Sequence, residues 1–356
     1  MMFQRTRPSC RRSAFTLVEL MVVILIISIL SALLTVAVSK GITVAKRTRN
    51  MTELRQLAAA IDAFKADYKV DYIPSTLVLF SKQSDYTNSS SFQPATDSYA
   101  YLLRLWPRLF ATGDVNWNGL GTKTGVILKG DQCLVFFLGG IPAFDSATGA
   151  PLCTGFATNP ADPSFHIANP TSGGKPTPVK GPYFEFDSSR LALVHKASLP
   201  MLSYLDTFGT TNGKGTWLAG LPYLYFSSYG TRNGYNKYSS LSFFDSEWTS
   251  IDYGGSSNPA INTVFCPPQV QNNTSGGPLR FFPYAQGVNQ YLNPTGYQII
   301  SGGPDMQYGQ GTLNPTSTAG AFWTPATAAN SNASGATGAD DQSNFYESLL
   351  GVPSIN

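Results

Sequence analysis

The sequence predicts an α+β protein in which a long N-terminal helix packs on an antiparallel β-sheet head with large loop insertions. Residues 15–72 hold apolar side chains at helical spacing and contain no proline. Beyond them come short apolar or alternating runs bounded by Gly, Pro, Asn and Ser, the pattern of strands and turns. Charged residues make up only 13% of the chain, which holds 33 Gly and 24 Pro. This composition favours loops and short strands over charged surface helices.

Residues 1–14 form a basic leader that accounts for the positive net charge. The leader contains no acidic residue, and its arginines are Arg5, Arg7, Arg11 and Arg12. Without these four charges the net charge of +3 becomes −1. No basic surface then remains to bind nucleic acid, so we predict no nucleic-acid partner.

Residues 15–39 are predicted to cross a membrane as one helix. The run from Phe15 to Val38 holds 24 residues with a single charge, Glu19, and about 20 apolar helical residues span a bilayer. In a secretory signal the small-residue cleavage site follows the apolar core, whereas here the small residue, Ala14, precedes it. A plain anchor helix with an accidental charge is the alternative. Basic residues flank both ends, so charge alone leaves the orientation open.

Glu19 is the candidate assembly residue, because an ionisable group inside an apolar helix is costly unless it is paired. Cleavage after Ala14 would create a free amine on Phe15, about one helical turn away. The amine of the same chain or of a neighbouring copy could neutralise the carboxylate. A pair between copies would fix the axial stagger of subunits in a filament.

The segment RRSAFTLVELMVVI at 11–24 resembles the cleavage and methylation site of type IV prepilins and type II secretion pseudopilins. The resemblance implies that prepilin peptidase cleaves between Ala14 and Phe15 and methylates the new amine. It also matches Glu19 to the glutamate that this family carries at the fifth position of the processed chain. The family more commonly has Gly before the cleaved bond.

Residues 40–72 are predicted to continue the helix as an amphipathic stalk. Apolar residues at intervals of 3, 4, 3 and 4 mark one helix face; they are Leu54, Leu57, Ile61, Phe64 and Tyr68. Pro74 ends the helix, since the residue before a proline avoids the helical region. One helix from about 15 to 70 would be roughly 80 Å long.

Residues 73–356 form the predicted head. A second amphipathic helix is expected at 98–110. Residues 313–339 are rich in Ala, Ser, Thr, Gly and Asn, which is typical of a low-complexity loop. Short apolar or alternating runs predict strands at 132–140, 181–187, 221–229 and 296–301.

The head is also similar to the major pseudopilin of type II secretion. The similar segments are LDTFGT at 205–210, LPYLYFSSYG at 221–230, YQIISGGPDMQYG at 297–309 and GADDQSNF at 338–345. The resemblance implies a pilin-like fold. The 342 residues after the leader are well over twice that family's usual length, so insertions would occupy parts of 111–180, 230–295 and 310–337.

Asp340 and Asp341, with Asp305 in an earlier Gly-rich turn, are candidate calcium ligands. Ca²⁺ takes about six to eight oxygens, which loops supply, and the resemblance implies a calcium-binding C-terminal loop. A solvated acidic turn is the alternative. DVNWNG at 114–119 matches the start of an EF-hand loop, but Gly125 stands where the bidentate glutamate belongs. An Asx-rich turn is therefore favoured there.

The exported part holds three cysteines, Cys133, Cys153 and Cys266, in a compartment that permits disulfides. Cys133 and Cys153 are the favoured pair, because glycines and a proline between them allow a turn. The bond would contribute roughly 3 kcal/mol. Pairing of either with Cys266, or three reduced thiols, stays open.

Catalytic motifs are missing from the sequence. The two histidines, His166 and His195, lie far apart, and HExxH, GxSxG and P-loop motifs do not occur. We therefore predict that the chain is not an enzyme.

The leading functional prediction is a structural subunit of a type II secretion pseudopilus or a type IV pilus-like filament, assembled through the N-terminal helix after prepilin peptidase processing. Its partners would be further copies, other pilin-like subunits, the peptidase and a secretion assembly platform. It would cross the inner membrane once, with its head in the periplasm. The alternative is a filament-displayed or membrane-anchored binding module that uses the enlarged head like an adhesin.

Overall fold

The computed structural model describes residues 16–89, 93–117, 126–194, 201–237, 283–309, 322–324 and 338–351. They belong to two compact units, one ending at Lys46 and the other beginning at Arg47. A long helix, several short helices and small antiparallel sheets make up these parts. This agrees with the α+β class. Most of the predicted loop at 313–339 lies outside the described residues.

Helix α1 comprises Leu17–Tyr68. Among the described residues it is the one helix long and apolar enough to cross a membrane. Hydroxyl groups in its apolar part donate to the carbonyl four residues earlier, Ser28 at 2.7 Å and Thr35 at 2.8 Å. These bonds satisfy the hydroxyls within the helix, as apolar surroundings require.

In the second unit α1 carries the predicted apolar stripe. Its fully buried members are Leu54, Leu57, Ile61 and Phe64. The helix ends at Tyr68, four residues before the predicted end. Lys69 there adopts a φ of 55°, and the Val70 N–H donates to the Lys65 carbonyl at 3.1 Å. This bond is typical of a Schellman motif, which closes the last turn.

Four elements follow α1: β1 (Leu77–Leu79), α2 (Gln83–Asn88), α3 (Gln93–Leu105) and β2 (Val126–Leu128). The two strands pair antiparallel. Helix α3 confirms the expected second helix, but it begins and ends five residues earlier than predicted. The Ser98 hydroxyl holds α3 on β1, because it accepts from the Val78 N–H at 2.9 Å.

The strand predicted at 132–140 is wrong, because the segment is helix α4 (Gly130–Gly139) and every residue of it is buried. An unbroken apolar run shows neither a two-residue nor a 3.6-residue period, so its sequence does not separate a buried strand from a buried helix. The Lys129 N–H donates to the Gln132 side chain at 3.2 Å and caps the first turn.

Short antiparallel pairs follow α4. The elements are β3 (Pro142–Phe144), β4 (Pro151–Cys153), β5 (Phe156–Ala157), α5 (Phe165–Ala168), β6 (Thr171–Ser172), β7 (Lys175–Pro176) and β8 (Val179–Lys180). The strands pair as β3 with β4, β5 with β8, and β6 with β7.

The strand predicted at 181–187 is also wrong. The N–H groups of Tyr183 and Phe184 both donate to the Leu138 carbonyl, at 2.7 and 3.4 Å. That carbonyl belongs to the last turn of α4, where helices leave acceptors free. The segment therefore docks on a helix end instead of pairing with a strand.

The rest of the described chain forms β9 (Leu191–Ala192), β10 (Ser203–Tyr204), β11 (Thr210–Thr211), β12 (Trp217–Ala219), β13 (Leu224–Ser227), β14 (Ala285–Gly287), β15 (Gln290–Tyr291), β16 (Tyr297–Ser301) and β17 (Gln342–Ser343). The largest described sheet has the order β13, β16, β17. It confirms the strands predicted at 221–229 and 296–301. The predicted single sheet under the helix is replaced by several small ones, with α4 packed on β10 and β13.

Candidate functional site

The predicted cleavage residues Ala14 and Phe15 lie outside the described residues, and the site begins at Thr16. Thr16 and Glu19 form a capping box at the start of α1. The N–H and the hydroxyl of Thr16 each donate to Glu19 Oε2 at 2.9 Å, and the Glu19 N–H donates to Thr16 Oγ1 at 3.2 Å. These bonds satisfy N–H groups that the first helical turn leaves unpaired.

The cap gives Glu19 a role besides the predicted ion pair. Both bonds from Thr16 end on one oxygen of the carboxylate. An ionised carboxylate accepts at both oxygens, so the cap leaves capacity for an amine. Capping and charge pairing are therefore compatible at Glu19.

The helix after Glu19 presents apolar side chains outward. The exposed fraction of the large apolar residues in the first unit ranges from 47% at Val23 to 72% at Leu17. No described residue of that unit covers them. Apolar surface of this extent needs lipid or another protein as its neighbour.

A buried ion pair ties α1 to the rest of the second unit. Glu53 and Arg190 are 7% and 6% exposed. The guanidinium donates to both carboxylate oxygens, with Nη1 2.8 Å from Oε2. The hydroxyls of Tyr204 and Tyr223 lie 3.0 and 2.7 Å from the same carboxylate. Sequence reasoning missed this cluster.

Both members of the pair stay charged although burial opposes it. Burial works against ionisation of Glu53, but the hydrogen bonds and charge of Arg190 hold its pKa below the usual value. Burial likewise opposes the charge on Arg190, but Glu53 raises its pKa. The lowered pKa of Glu53 and the raised pKa of Arg190 both favour the charged forms, and each charge stabilises the other.

Asn50 and Gln342 extend this contact to β17. The Asn50 amide donates to the Gln342 side chain at 2.9 Å, and Gln342 Nε2 donates to the Arg47 carbonyl at 3.1 Å. The Arg47 guanidinium lies 3.9 Å from Asp340 Oδ2. The C-terminal segment 338–343 is thus held against α1.

Asp305, Asp340 and Asp341 lie in this region. The Asp305 N–H donates to Asp340 Oδ2 at 3.3 Å. Asp341 is fully buried; its Oδ2 accepts from the Gly309 N–H at 2.7 Å, and its Oδ1 has no hydrogen-bond partner. Burial and the charge of Asp340 raise the pKa of Asp305 to about 6. Burial also raises the pKa of Asp340 and, further, of Asp341.

The chemistry of these carboxylates suits a bound cation, but their arrangement does not form a recognisable metal site. The unpartnered Asp341 oxygen and the repulsion between Asp305 and Asp340 suit a positive charge, and carboxylate oxygens are what Ca²⁺ prefers. However, no three His, Cys, Asp or Glu side chains within the described ranges group as a metal site. The side-chain oxygen of Asn344, three residues after Asp341, is not available to an ion, because it accepts from the Ile299 N–H at 2.7 Å. Calcium stays a prediction.

Asp206 is a second buried carboxyl that the sequence did not reveal. It is 1% exposed. Its Oδ1 accepts from the Phe208 N–H at 3.0 Å and its Oδ2 from the Ser301 hydroxyl at 2.7 Å. Burial raises the pKa of Asp206 to about 7, so this carboxyl is partly protonated at neutral pH.

The structure does not form the predicted Cys133–Cys153 disulfide, and neither cysteine is in a disulfide. Cys153 Sγ lies 2.6 Å from the place where Gly139 would carry a Cβ. Cys133 precedes Gly139 by six residues in α4, about 9 Å along the axis, which is beyond the reach of a disulfide. Burial raises the pKa of Cys153 to about 12. Cys266 lies outside the described residues.

Among the residues that the structure describes, the remaining candidates form no reactive site. His195 lies outside the described residues. His166 Nε2 lies 2.8 Å from Thr154 Oγ1, and burial lowers the pKa of His166. Of DVNWNG, only 114–117 is described; there the Trp117 indole donates to the Phe80 carbonyl at 2.9 Å, which is a packing contact.

Two sequence signals could have found the missed residues. Thr16 was missed, although it precedes Glu19 by three residues, which is the spacing of a capping box. Asn50 and Glu53 continue the apolar stripe backward from Leu57 at intervals of 3 and 4, so polar side chains stand on a buried face and need partners. No local pattern identifies Arg190 as that partner, because 137 residues separate the pair.

A family model, described as the prokaryotic N-terminal methylation motif, matches residues 9–35. The match confirms the motif recognised at 11–24. No curated protein and no solved structure matches the chain.

Proposed function

We propose that the chain is a structural subunit of a filament. The premise is that the chain carries the prepilin-type signal of a type IV pilin-like or pseudopilin precursor. The filament is a type II secretion pseudopilus or a type IV pilus-like fibre. The observation that carries this proposal is the continuity of the motif at 9–35 with an apolar helix whose side chains face outward.

The two environments of such a subunit both suit this helix. In the inner membrane, lipid covers the apolar side chains of α1, and a single span leaves the head in the periplasm. In the filament, helices of neighbouring subunits replace the lipid. The motif implies processing by prepilin peptidase and assembly with other pilin-like subunits. Extraction from the membrane would then require a secretion assembly platform.

Calcium belongs to this proposal as its cofactor. Asp340, together with Asp305 or Asp341, would hold the ion. The ion would neutralise a group of carboxylates in which, besides burial, the charge of Asp340 raises the pKa of Asp305, and both charges raise the pKa of Asp341. It would thereby keep the C-terminal segment on α1, beside the contacts that Gln342 makes.

The test is co-expression with and without an active prepilin peptidase. The processed chain should begin at Phe15 with a methylated amine, as read by mass spectrometry. Ala14→Leu, which enlarges the side chain before the cleaved bond, should keep the full length and abolish filaments. A chain that still begins at Met1 in cells with active peptidase would refute the proposal.

Display of a binding head is the second candidate. It is favoured by a solvent-open cleft in the head, where α1 ends. This function and the structural one are compatible, since a filament can carry the head.

A further inference from the structure

A cleft of about 190 Å³ opens at the end of α1. Tyr68 and Trp106 belong to its wall, and Asp67, Lys69, Thr158 and Lys180 carry its polar groups. Tyr68 lies about 30 Å along the helix from Arg47, where the second unit begins. The cleft thus lies at the C-terminal end of α1, at the opposite end of the second unit's part of this helix from Arg47.

The apolar wall of the cleft is fixed by packing. The Tyr68 ring stacks on Phe64, with centroids 4.6 Å apart, and meets Trp106 edge-on at 5.9 Å. Trp106 in turn packs on Phe156 at 5.1 Å. The Tyr68 hydroxyl has no hydrogen-bond partner. Tyr68 is therefore held in place by ring packing, and its hydroxyl makes no hydrogen bond within the described part of the chain.

The polar rim offers both donors and acceptors. Lys180 Nζ lies 3.1 Å from Asp67 Oδ1 and 4.8 Å from the Tyr68 ring centroid. Asp67 also accepts from the Tyr183 hydroxyl. Thr158 is exposed.

Lys69 occupies a position at which helix ends favour glycine. Its φ of 55° lies in the left-handed region, which costs a residue with a side chain free energy that glycine does not incur. Lys69 is exposed and makes no ion pair among the described residues. Its ammonium is therefore available on the rim of the cleft.

We propose that this cleft binds one neutral sugar ring. Asp67 and Lys180 neutralise each other, and the C-terminal end of α1 places partial negative charge near Lys69. That partial charge, about half a unit, offsets part of the Lys69 charge. The rim therefore carries only a weak positive charge, and it can donate to and accept from neighbouring hydroxyls. The exposed apolar atoms of the wall, from Tyr68 and Pro160, can contact the C–H groups of the ring, whereas Trp106 is buried and supports Tyr68. The volume equals that of about six waters and is below that of sites for drug-sized ligands.

This inference goes beyond the filament role and holds whether or not the chain polymerises. Saturation-transfer NMR on the detergent-solubilised chain tests it, with methyl glycosides of glucose, galactose, mannose and N-acetylglucosamine. Free hexoses are tested in parallel. The glycosides represent sugar residues within a glycan, whereas the free hexoses represent dissolved monosaccharides. Glucuronate and a neutral tripeptide complete the set.

Three variants locate the signal. Thr158→Phe fills the cleft from an exposed position and should abolish transfer. Lys69→Asn removes the ammonium but tolerates the left-handed backbone, and it should weaken binding about ten- to hundredfold, as loss of one charge-assisted hydrogen bond predicts. Lys214→Asn makes the same change at an exposed lysine that does not line the cleft and should bind like the parent.

Saturable transfer to a neutral sugar with this variant pattern supports the proposal. Melting curves establish that each variant is folded. The proposal is overturned if no neutral sugar gives saturable transfer, if the signal persists in Thr158→Phe, or if only glucuronate or the tripeptide binds.

Discussion

Glu19 carries two tasks that substitution can separate. Its Oε2 closes the first turn of α1 through Thr16, whereas the predicted pairing with an amine needs its negative charge. Glu19→Gln keeps an acceptor for Thr16 and removes the charge. We expect this variant to accumulate as membrane monomer and to lose most filaments, which immunoblots of sheared filament and membrane fractions would measure.

Thr16→Val is the matched control for Glu19. It removes the capping hydroxyl, which typically costs about 1 kcal/mol at a helix start, but it keeps the carboxylate. Filament yield should stay close to that of the parent chain. Parental yield from Glu19→Gln would reject the ion-pair account, and loss of filaments in Thr16→Val would show that the cap itself is needed.

Asp206 makes the stability of the head depend on pH. Its pKa is about 7 in the folded chain and about 3.9 in an unfolded one, so folding favours the protonated form. The free energy of unfolding should therefore fall as pH rises from about 4 to 7. Asp340 and Asp341 shift in the same direction. His166, whose pKa is lowered, acts in the opposite direction.

Asp206→Asn should flatten this profile. The amide can still accept from Phe208 and lie beside Ser301, but it does not titrate. We expect the parent chain to melt higher at pH 5 than at pH 8, and the difference to shrink in the variant. Fluorescence of the buried Trp106 and Trp117 would report the head. An unchanged slope in Asp206→Asn would assign the effect to other groups.

At the scale of elements, α1 is held by a charge pair whose loss should be severe. Arg190→Met leaves the Glu53 carboxylate buried without its counter-charge, which typically costs about 3–5 kcal/mol. The urea midpoint of the head should fall accordingly. Arg49→Met is the control, because Arg49 is 65% exposed and 4.0 Å from Asp187; such pairs contribute about 0–1 kcal/mol. Equal midpoints for the two variants would contradict the assigned role.

The elements differ in how far the sequence determines them. The α1 stripe was predictable because Leu57, Ile61 and Phe64 recur at intervals of 4 and 3, the spacing of one helix face. Helix α4 was not predictable, because all its residues are buried and its apolar residues therefore show no helical or strand periodicity. The same holds for the sites. Glu19 was found from one local motif, whereas Glu53 and Arg190 meet only through the tertiary fold.

At the scale of the whole molecule, the C-terminal segment returns to the first helix of the second unit. Gln342 bonds to Asn50 and to the Arg47 carbonyl, and Asp340 lies near the Arg47 side chain. About 290 residues separate these partners in sequence. Ordering of this segment is therefore coupled to packing of the whole head, and anything that binds the segment should change global stability.

Calcium provides the test of that coupling. An ion that binds only the folded chain stabilises it by about 2.7 kcal/mol at 100-fold excess over the dissociation constant. The detergent-solubilised chain should then melt higher with Ca²⁺ than with a chelator at pH 8. At pH 5 the shift should shrink, because protons compete for Asp305, whose pKa is about 6.

Two substitutions decide whether Asp340 holds the ion. Asp340→Ala should abolish the calcium-dependent shift. Asp62→Asn, a change at an exposed acidic residue paired with Lys65 at 3.5 Å, should leave it intact. If the curves with calcium and chelator superimpose for the parent chain, the acidic segment holds no calcium and is kept in place by protein contacts, among them those of Arg47, Gln342 and Gly309. If the shift survives in Asp340→Ala, the ion binds elsewhere on the molecule.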